Sequence, residues 1–545
     1  MSKIAHYLQE HLLGEVMTST DARRYFATDT SIFTLPPAVV VYPRNENDIR
    51  KAARFTWQLA ERGRVIPMTA RGAGTDQSGA ALGSGIMLVF PAHMHRILEL
   101  DSKAGTVTVE PGTNYGKLQQ TLKTHDRFLP PYPSSAEYST VGGAVANNAS
   151  GEKSVKYGDT RNFVKSMRVV LANGEVIETG RLSKRDLSKK MGLATFEGEI
   201  YRAMDALLEE NKDLVSRAHL GVTKNSAGYN VADIRRKDGS FDLTPLFVGS
   251  QGTLGIVSEI TFYTETYNPA TTLLLASFDS IENAHTAIME LRNQDDRASA
   301  IEMVDGKLLE FVSSVNPNLL KELVKAPYPA VLILVEYDDP SERHQKRASR
   351  QAERIFDKYA SSHLVETDIE RQEELWKIRD ASGAVVSHSE GILKAVPIIE
   401  DGIVPIESFQ DFLKGIYSLF KKENLKVAVW GHAGEANLHV QPFMNIGQVG
   451  DRQKAFRLMD EYYKLVTSLG GSTTGEHGDG RLRGPYLEPL YGSAIYGLFG
   501  KVKQIFDPYG TLNPGVKMNV KLDDLRPLLR QDYSVGHLYD HLPRS

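Results

Sequence analysis

The sequence predicts an α+β protein of more than one domain, folded around an extended ligand. Three observations carry that prediction. An apolar run at 65–70 leads directly into RGAGTDQSG at 71–79, and a strand followed by a glycine-rich turn brings backbone N–H groups within reach of phosphate oxygens. Residues 130–158 (PPYPSSAEYSTVGGAVANNASGEKSVKYG) hold almost no large side chain after Tyr138. Such a run cannot build a core, but it can lie closely against a bulky, flat ligand. Strand-like and helix-like patterns then alternate along the chain without an internal repeat.

Neither loop has GxGxxG or GxxxxGK[ST] spacing, so neither a Rossmann turn nor a P-loop is present. Two separated glycine-rich loops suggest one ligand spanning both, which points to a dinucleotide. Gly142 and Gly143 would let backbone approach it, Ala144, Ala146 and Ala149 would leave room, and Asn147 and Asn148 would offer amide groups.

The totals set the frame. A chain of 545 residues with 41% apolar and 24% charged content has material for two or more cores. A formal net charge of −4 without a basic cluster excludes nucleic-acid binding as the leading function. No stretch of about eighteen apolar residues and no signal-peptide pattern is present, so a cytoplasmic protein, at most peripherally associated with a membrane, is expected. There is no cysteine, so neither a disulfide nor a cysteine-ligated zinc or iron–sulfur cluster can form on this chain.

Residues 1–35 read as a polar, helical start and then RRYFATDTSIF, expected to cap the next domain. Residues 36–268 open with a β-α-β unit: AVVVY, then Ile49, Ala52, Ala53, Thr56, Trp57 and Ala60 on one helical face, then VIPMTA. Further strands are expected at 86–90 and 106–110, and a hairpin at 169–179, where Asn173-Gly174 supplies the positive φ of a tight turn. Residues 269–469 alternate LLLASF, ENAHTAIMELR, VLILVEY and a charged helix at 341–359, which predicts a sheet with helices on one face. Residues 470–545 carry GGSTTGEHGDGR and a last helix, expected to return to the first domain and leave it discontinuous.

The chemistry-bearing residues gather late in the chain. VAVWGHAGEANLHVQPF at 427–443 holds His432 and His439, with Glu435, Asn437, His439 and Gln441 on one face by alternation. GEHGDG at 475–480 sets Glu476 and His477 in a glycine-flanked turn. Two imidazoles and a carboxylate suit a divalent metal. From spacing alone, histidines satisfied by ordinary hydrogen bonds are the reading to prefer.

RGAGT at 71–75, PSSAEYSTVGGAVANNASG at 133–151, VKYG at 155–158, GSQGTLGIV at 249–257 and DPYGTLNPG at 507–515 together resemble the FAD-binding signature of the vanillyl-alcohol-oxidase (PCMH) type flavoproteins. Within that group the chain is most similar to the D-2-hydroxyacid dehydrogenases, which act on D-lactate, glycolate or D-2-hydroxyglutarate. It looks closest to the flavin half of large bacterial FAD/iron–sulfur oxidoreductases. The resemblance implies a two-lobed PCMH-type FAD-binding domain, an α+β (ferredoxin-like) substrate domain and a C-terminal helical segment returning to the flavin. It assigns FAD contacts to Arg71, Gly72, Ala73, Gly74, Thr75, Gly79, Pro133, Ser135, Thr140, Gly142, Gly143, Ala146, Asn147, Ala149, Gly151, Tyr157, Gly252, Ile256, Val257 and Asn513. Relatives that bond FAD covalently often carry a histidine at the position of Thr75, so non-covalent FAD is implied.

The pattern GHxGxxNLH followed by GEHGxG implies a divalent metal, with zinc the expected ion, on His432, His439 and Glu476, and a proton-abstracting role for His477. The usual GHxGDGNLH reads GHAGEANLH here, so Glu435 and Ala436 replace Asp-Gly. Arg379 in WKIR and Lys394 in ILKAVPIIED match positions that hold the substrate carboxylate, whereas Gly383 stands where some relatives carry a hydroxyl. Arg481 and Arg483 read either as anchors for a second acidic group or as solvated surface charges. The implied reaction is FAD-dependent oxidation of a small D-2-hydroxyacid to the 2-oxo acid. Electrons would pass to a separate acceptor: a quinone, an electron-transfer flavoprotein or an iron–sulfur protein. A homo-oligomer is compatible with this reading. The rivals are a flavin-dependent transferase of the alkyl-glycerone-phosphate synthase type, which needs no two-histidine metal pattern, and an electron-transfer subunit, which needs neither base nor carboxylate anchor.

Overall fold

The computed structural model describes residues 3–318, 320, 323–387 and 393–534, and of these only the backbone for 315 and 382–387. The β-α-β expectation holds in its elements: Val39–Tyr42 and Met68–Arg71 flank the helix Glu46–Glu61, which buries Ile49, Ala52, Ala53, Thr56 and Ala60. The two strands do not pair with each other. Ile86–Val89 lies between them, parallel to both. Glu15–Met17 adds an antiparallel edge to the same sheet, and the helix Lys3–His11 sinks Ala5 and Leu8 into its core. Residues 3–17 are therefore part of this layer, because their apolar side chains have a sheet edge to complete, whereas Ile32 and Phe33 of RRYFATDTSIF join the core of the second half of the chain.

A second, antiparallel sheet has the strand order 97–101, 106–109, 256–263, 164–170, 176–178. Its hairpin turns at Asn173-Gly174, where Gly174 has φ 84° and Val170 faces Val176. Between the sheets, part of the stretch read as a loop is the helix Val141–Asn147. Two glycines cost it about 1 kcal/mol each in intrinsic propensity, but three features override that. The Thr140 side chain caps its N-terminus by accepting from the Gly143 N–H, Asn148 closes it in the left-handed conformation, and Val141, Ala144 and Val145 pack against Tyr115 and Leu118.

The second half builds one large sheet whose strands run in the order 362–366, 272–278, 331–337, 300–305, 427–432, 437–444, 394–395. Helices cover both of its faces, not one. Leu274 and Ala276 join a core with Ile281–Arg292, Glu342–Tyr359, Phe409–Glu423 and Val449–Ser468. Their neighbours Leu273 and Leu275 join another with Gly306–Val315 and Ile369–Ser387. A sheet buried on both faces needs continuous apolar strands, and VLILVEY at 331–337 is buried at every position.

Beyond 469 the chain goes back to the first half. The helix Leu487–Phe506 places Ile495, Leu498, Phe499, Val502 and Phe506 among Val107, Val169 and Phe247. Leu512 enters the core of the N-terminal sheet.

Candidate active site

A cavity of about 1560 Å³, its open mouth included, runs between the glycine-rich loops. Arg71, Gly72, Ala73, Gly74 and Thr75 form one wall; Pro133, Ser135, Thr140, Gly142, Gly143, Ala146, Asn147, Ala149 and Gly151 form another. Gly252, Ile256 and Val257 close it from the third side. Gly74 has φ 85°, and a Cβ there would stand 2.2 Å from Arg71 Nη2. Side-chain amides tie the loops together: Asn147 Nδ2 donates to Asp76 Oδ1 at 3.0 Å and Gln251 Nε2 donates to Asn147 Oδ1 at 2.9 Å. Gln77 Oε1, Ser139 Oγ and Arg71 Nε are buried on this wall without a hydrogen-bond partner. Small residues, adjustable backbone and orphaned polar atoms fit a polar dinucleotide.

Three expected wall residues do other work. Asn513 donates from Nδ2 to the carbonyls of Ala80 and Gln251 (2.9 and 2.8 Å) and accepts from Thr69 Oγ1, clasping the loops from behind. Gly79 (φ 78°) sits against the Phe33 ring. Tyr157 donates its hydroxyl to Asp338 Oδ2 at 3.1 Å, joining the first half of the chain to the second.

His432, Glu476 and His477 line the far part of the same cavity. The hairpin of Val427–His432 and Asn437–Met444 pairs Trp430 with His439 and His432 with Asn437. Its turn ends on Ala436 at φ 53°, a conformation that favours the glycine of the usual motif. Glu435 belongs to this turn, not to the strand face: it accepts a hydrogen bond from Ser154 Oγ and lies 3.4 Å from Lys224 Nζ. The loop bearing Glu476 and His477 hangs on Asp401, whose Oδ2 accepts from both backbone N–H groups (3.1 and 2.8 Å).

Three imidazoles converge on one oxygen. Glu476 Oε1 is 3.1 Å from His432 Nε2, 3.3 Å from His439 Nε2 and 3.6 Å from His477 Nε2. One ligand atom each of His432, His439 and Glu476 falls within 4.8 Å of the others. The other Glu476 oxygen accepts from Lys224 Nζ at 2.7 Å. Carboxylates back the remaining ring nitrogens: Glu302 Oε1 is 2.7 Å from His432 Nδ1, and Glu400 Oε2 is 2.7 Å from His477 Nδ1 and 3.5 Å from His439 Nδ1. Two imidazoles and a carboxylate, buried and with His432 hydrogen-bonded from behind by Glu302, fit a borderline divalent cation. His477 is the accessible member, with its side chain 26% exposed against 5–8% for the other three.

The electrostatics separate these groups. Burial would lower the pKa of His432, but Glu302 and Glu476 outweigh it and raise it to about 9. His439 is pushed down to about 4, chiefly by burial. Glu476 stays well below the ordinary carboxylate range despite burial, held there by Lys224 and His432. Neutral His439 and ionised Glu476 are ready ligands, whereas His432 must give up a proton to become one.

The expected anchors divide. Arg379 is buried and donates from Nε to Glu302 Oε2 at 2.7 Å. Lys394 stands in a short strand opposite Met444, and neither it nor Arg379 lines the cavity. Gly383 falls where only backbone is described. Arg481 and Arg483 are neither surface charges nor free anchors. Arg481 donates to the carbonyls of Gly515 and Leu82, and Arg483 donates to Gly478 O and pairs with Glu400. Burial lowers them to about 10 and about 9. Glu302, Glu400, Asp401 and Lys224 were not singled out from sequence; only the acidic pair beside the quoted Lys394 segment offered a cue.

The architecture is that of PCMH-type flavoproteins. It superposes on 4-ethylphenol oxidase from Gulosibacter chungangensis with a TM-score of 0.68 at 13% identity, covering 95% of this chain and 97% of that one. Residues 37–180 match the FAD binding domain, and residues 268–516 match the C-terminal domain of FAD linked oxidases. The chain thus carries both an FAD binding domain and the C-terminal domain of FAD linked oxidases. It is 29% identical to D-2-hydroxyglutarate dehydrogenase of Escherichia coli K12 over 93% of its length, and it spans 50% of that protein. It is 29% identical to the glycolate oxidase subunit GlcD of Bacillus subtilis over 88% of both chains.

Proposed function

We propose that this protein oxidises a small D-2-hydroxyacid to the 2-oxo acid, using non-covalent FAD and a divalent metal. The observation that carries the reading is spatial. The imidazole–carboxylate cluster opens into the same cavity that the glycine-rich loops line, so a hydroxyl held at His432, His439 and Glu476 would face the flavin.

When bound, FAD supplies the hydride acceptor and the metal the Lewis acidity that makes a hydroxyl easier to ionise. The protein's own groups do the rest. His477 Nε2 takes the hydroxyl proton, and Glu400, 2.7 Å from Nδ1, stabilises the imidazolium that results. Arg483 pairs with the other Glu400 oxygen and fixes that carboxylate in place. Lys224 neutralises one Glu476 oxygen and leaves Oε1 directed at the imidazoles. The family resemblance supports Arg379, held by Glu302, and Lys394 as anchors of the substrate carboxylate, although neither is among the residues lining the cavity.

The relatives are a D-2-hydroxyglutarate dehydrogenase and a glycolate oxidase subunit, and both names imply an α-hydroxycarboxylate. The sequence contains no cysteine, so an iron–sulfur acceptor, if one takes the electrons, is not held by these residues. Among the described residues no helix is long and apolar enough to cross a membrane. The transferase reading gives the buried cluster no task.

Steady-state dye reduction with D- and L-2-hydroxyacids, together with metal analysis of the purified protein, tests this reading. Turnover of a D-acid by metal-containing protein is expected. Metal-free protein with full activity, or turnover confined to L-acids, would overturn it.

A further inference from the structure

Behind the rings of His439 and His477 lies a second donor set. Glu400 Oε2 is 2.7 Å from His477 Nδ1 and 3.5 Å from His439 Nδ1. Each of these three atoms is buried and lacks a hydrogen-bond partner, and Glu400 and His439 are 0% and 6% exposed as whole residues. Buried polar atoms left in this way call for an explanation. The groups around them are already satisfied. Glu400 Oε1 pairs with Arg483. Asp401 belongs to the same group, with ligand atoms within 4.8 Å of one another. Its Oδ1 accepts from Asn437 Nδ2, and its Oδ2 accepts from Thr474 Oγ1 and the backbone N–H groups of Glu476 and His477. Two imidazole nitrogens and one carboxylate oxygen are left over together, which is a donor set for a divalent cation. It is not the set formed by His432, His439 and Glu476, because it uses the opposite nitrogen of His439.

We propose that Glu400, His439 and His477 form a second, inhibitory divalent-cation site that fills when metal is in excess. The inference rests on the proposed function, in which His477 Nε2 takes the substrate's proton. A cation on His477 Nδ1 leaves the one proton of that neutral ring on Nε2, so Nε2 can donate but cannot accept. The base is silenced without being displaced. His439 presents Nε2 to Glu476 and Nδ1 to Glu400. Filling both sites removes its last N–H proton and makes the ring an imidazolate bridge. The second ion must therefore displace a proton and lie close to the first ion, and both effects weaken its binding. Arg483, on the other oxygen of Glu400, adds to the repulsion. His477 lines the cavity with its side chain 26% exposed, which gives an ion a route to the site.

The test uses the full FAD-loaded chain and Zn²⁺, counted by competition against a chromophoric chelator, with steady-state dye reduction on the same samples. Wild-type protein should take up a tight and then a weak equivalent of Zn²⁺. Filling the weak one should lower kcat by about 10²-fold while KM stays within about threefold. Glu400→Gln should keep the tight equivalent and lose the weak one, and its residual turnover should no longer respond to excess Zn²⁺. His477→Asn should change the metal count in the same way. It is the second variant, in case burial of Arg483 without its carboxylate keeps Glu400→Gln from folding. Glu476→Gln should show the converse, with the tight equivalent weakened and the weak one kept.

A wild-type chain that takes up a single Zn²⁺ equivalent at excess metal would overturn the inference. So would a weak, inhibitory equivalent that survives Glu400→Gln or His477→Asn, since it would lie elsewhere on the molecule. Wild-type protein that turns over no hydroxyacid would instead overturn the proposed function, while the metal count in the variants would still decide whether the second donor set binds.

Discussion

The cavity wall and the cluster at its end solve opposite problems. The wall at 71–77 and 139–151 is made mostly of backbone and small side chains, and its polar atoms Gln77 Oε1 and Ser139 Oγ are left for a ligand to satisfy. The cluster is made of buried charge, and nearly every ionisable group in it leans on another: Lys224 on Glu476, His432 on Glu302, Arg483 on Glu400. The wall gains specificity from what is absent, the Cβ atoms. The cluster gains it from charges that are costly to bury singly and tolerable only as a network. Substitutions should therefore act in different ways in the two regions: on cofactor retention at the wall, on chemistry and metal binding at the cluster.

The largest effect should come from His477→Asn. Loss of the accessible imidazole should reduce turnover by about 10² to 10⁴ while the protein stays yellow, which absorbance and kinetics read together. A colourless variant would mean that the two regions are not separable. Removing Lys224 should be nearly as severe for a different reason. Lys224→Met leaves Glu476 buried and facing Glu435 without its cation, so Zn²⁺ affinity and Tm should both fall, by about 3–5 kcal/mol in stability.

At the wall, Gly142→Ala would place a Cβ 2.6 Å from Pro111 Cβ and 2.7 Å from its carbonyl oxygen. The start of the capped helix would have to move, at a cost of about 1–3 kcal/mol. FAD affinity should drop, while Zn²⁺ affinity stays unchanged. The smallest effect should come from Ala436→Gly. Relief of the left-handed alanine at φ 53° should raise stability by about 1 kcal/mol, seen as a modest rise in Tm with metal affinity kept.

The first of these regions was far more legible in sequence than the second. The wall could be read because glycine and alanine act locally: RGAGT and VGGAVANNASG imply close backbone approach wherever the chain goes. What misled there was also local, since two glycines hide a helix that packing and the Thr140 cap stabilise. Asn513 and Tyr157 belong to the motifs yet bind neighbouring loops and domains, a matter of tertiary placement that a motif does not encode. At the cluster, His432, His439, Glu476 and His477 were legible only as a pattern of spacing. Their supports were not, because Glu302 lies 130 residues from His432 and Lys224 lies 252 residues from Glu476. Arg481 and Arg483 looked like solvated cations because nothing in RLRG signals that a loop closes over them.

The cluster also predicts a pH dependence that the wall should lack. In the metal-free protein His432 titrates near 9, raised above its ordinary 6.5 by Glu302 and Glu476 against the opposing effect of burial. Its pairing therefore stabilises the metal-free fold fully below about pH 6.5, and that contribution is lost as pH rises through 9. Metal competes with the same proton, so Zn²⁺ uptake near neutral pH should release about one proton from His432. Affinity should weaken as pH falls. Calorimetry in buffers of different ionisation enthalpy would show this, and uptake without proton release would contradict the assignment of His432 as a ligand.

In the proposed reaction, metal, base and flavin act on one substrate in one cavity. Anaerobic mixing of the yellow protein with single D- and L-2-hydroxyacids, with and without chelator, tests it most directly. A D-acid should bleach the oxidised-flavin band, its L-enantiomer should not, and chelation should prevent bleaching until metal is restored. Bleaching that is indifferent to chelator, or absent with every acid, would contradict it.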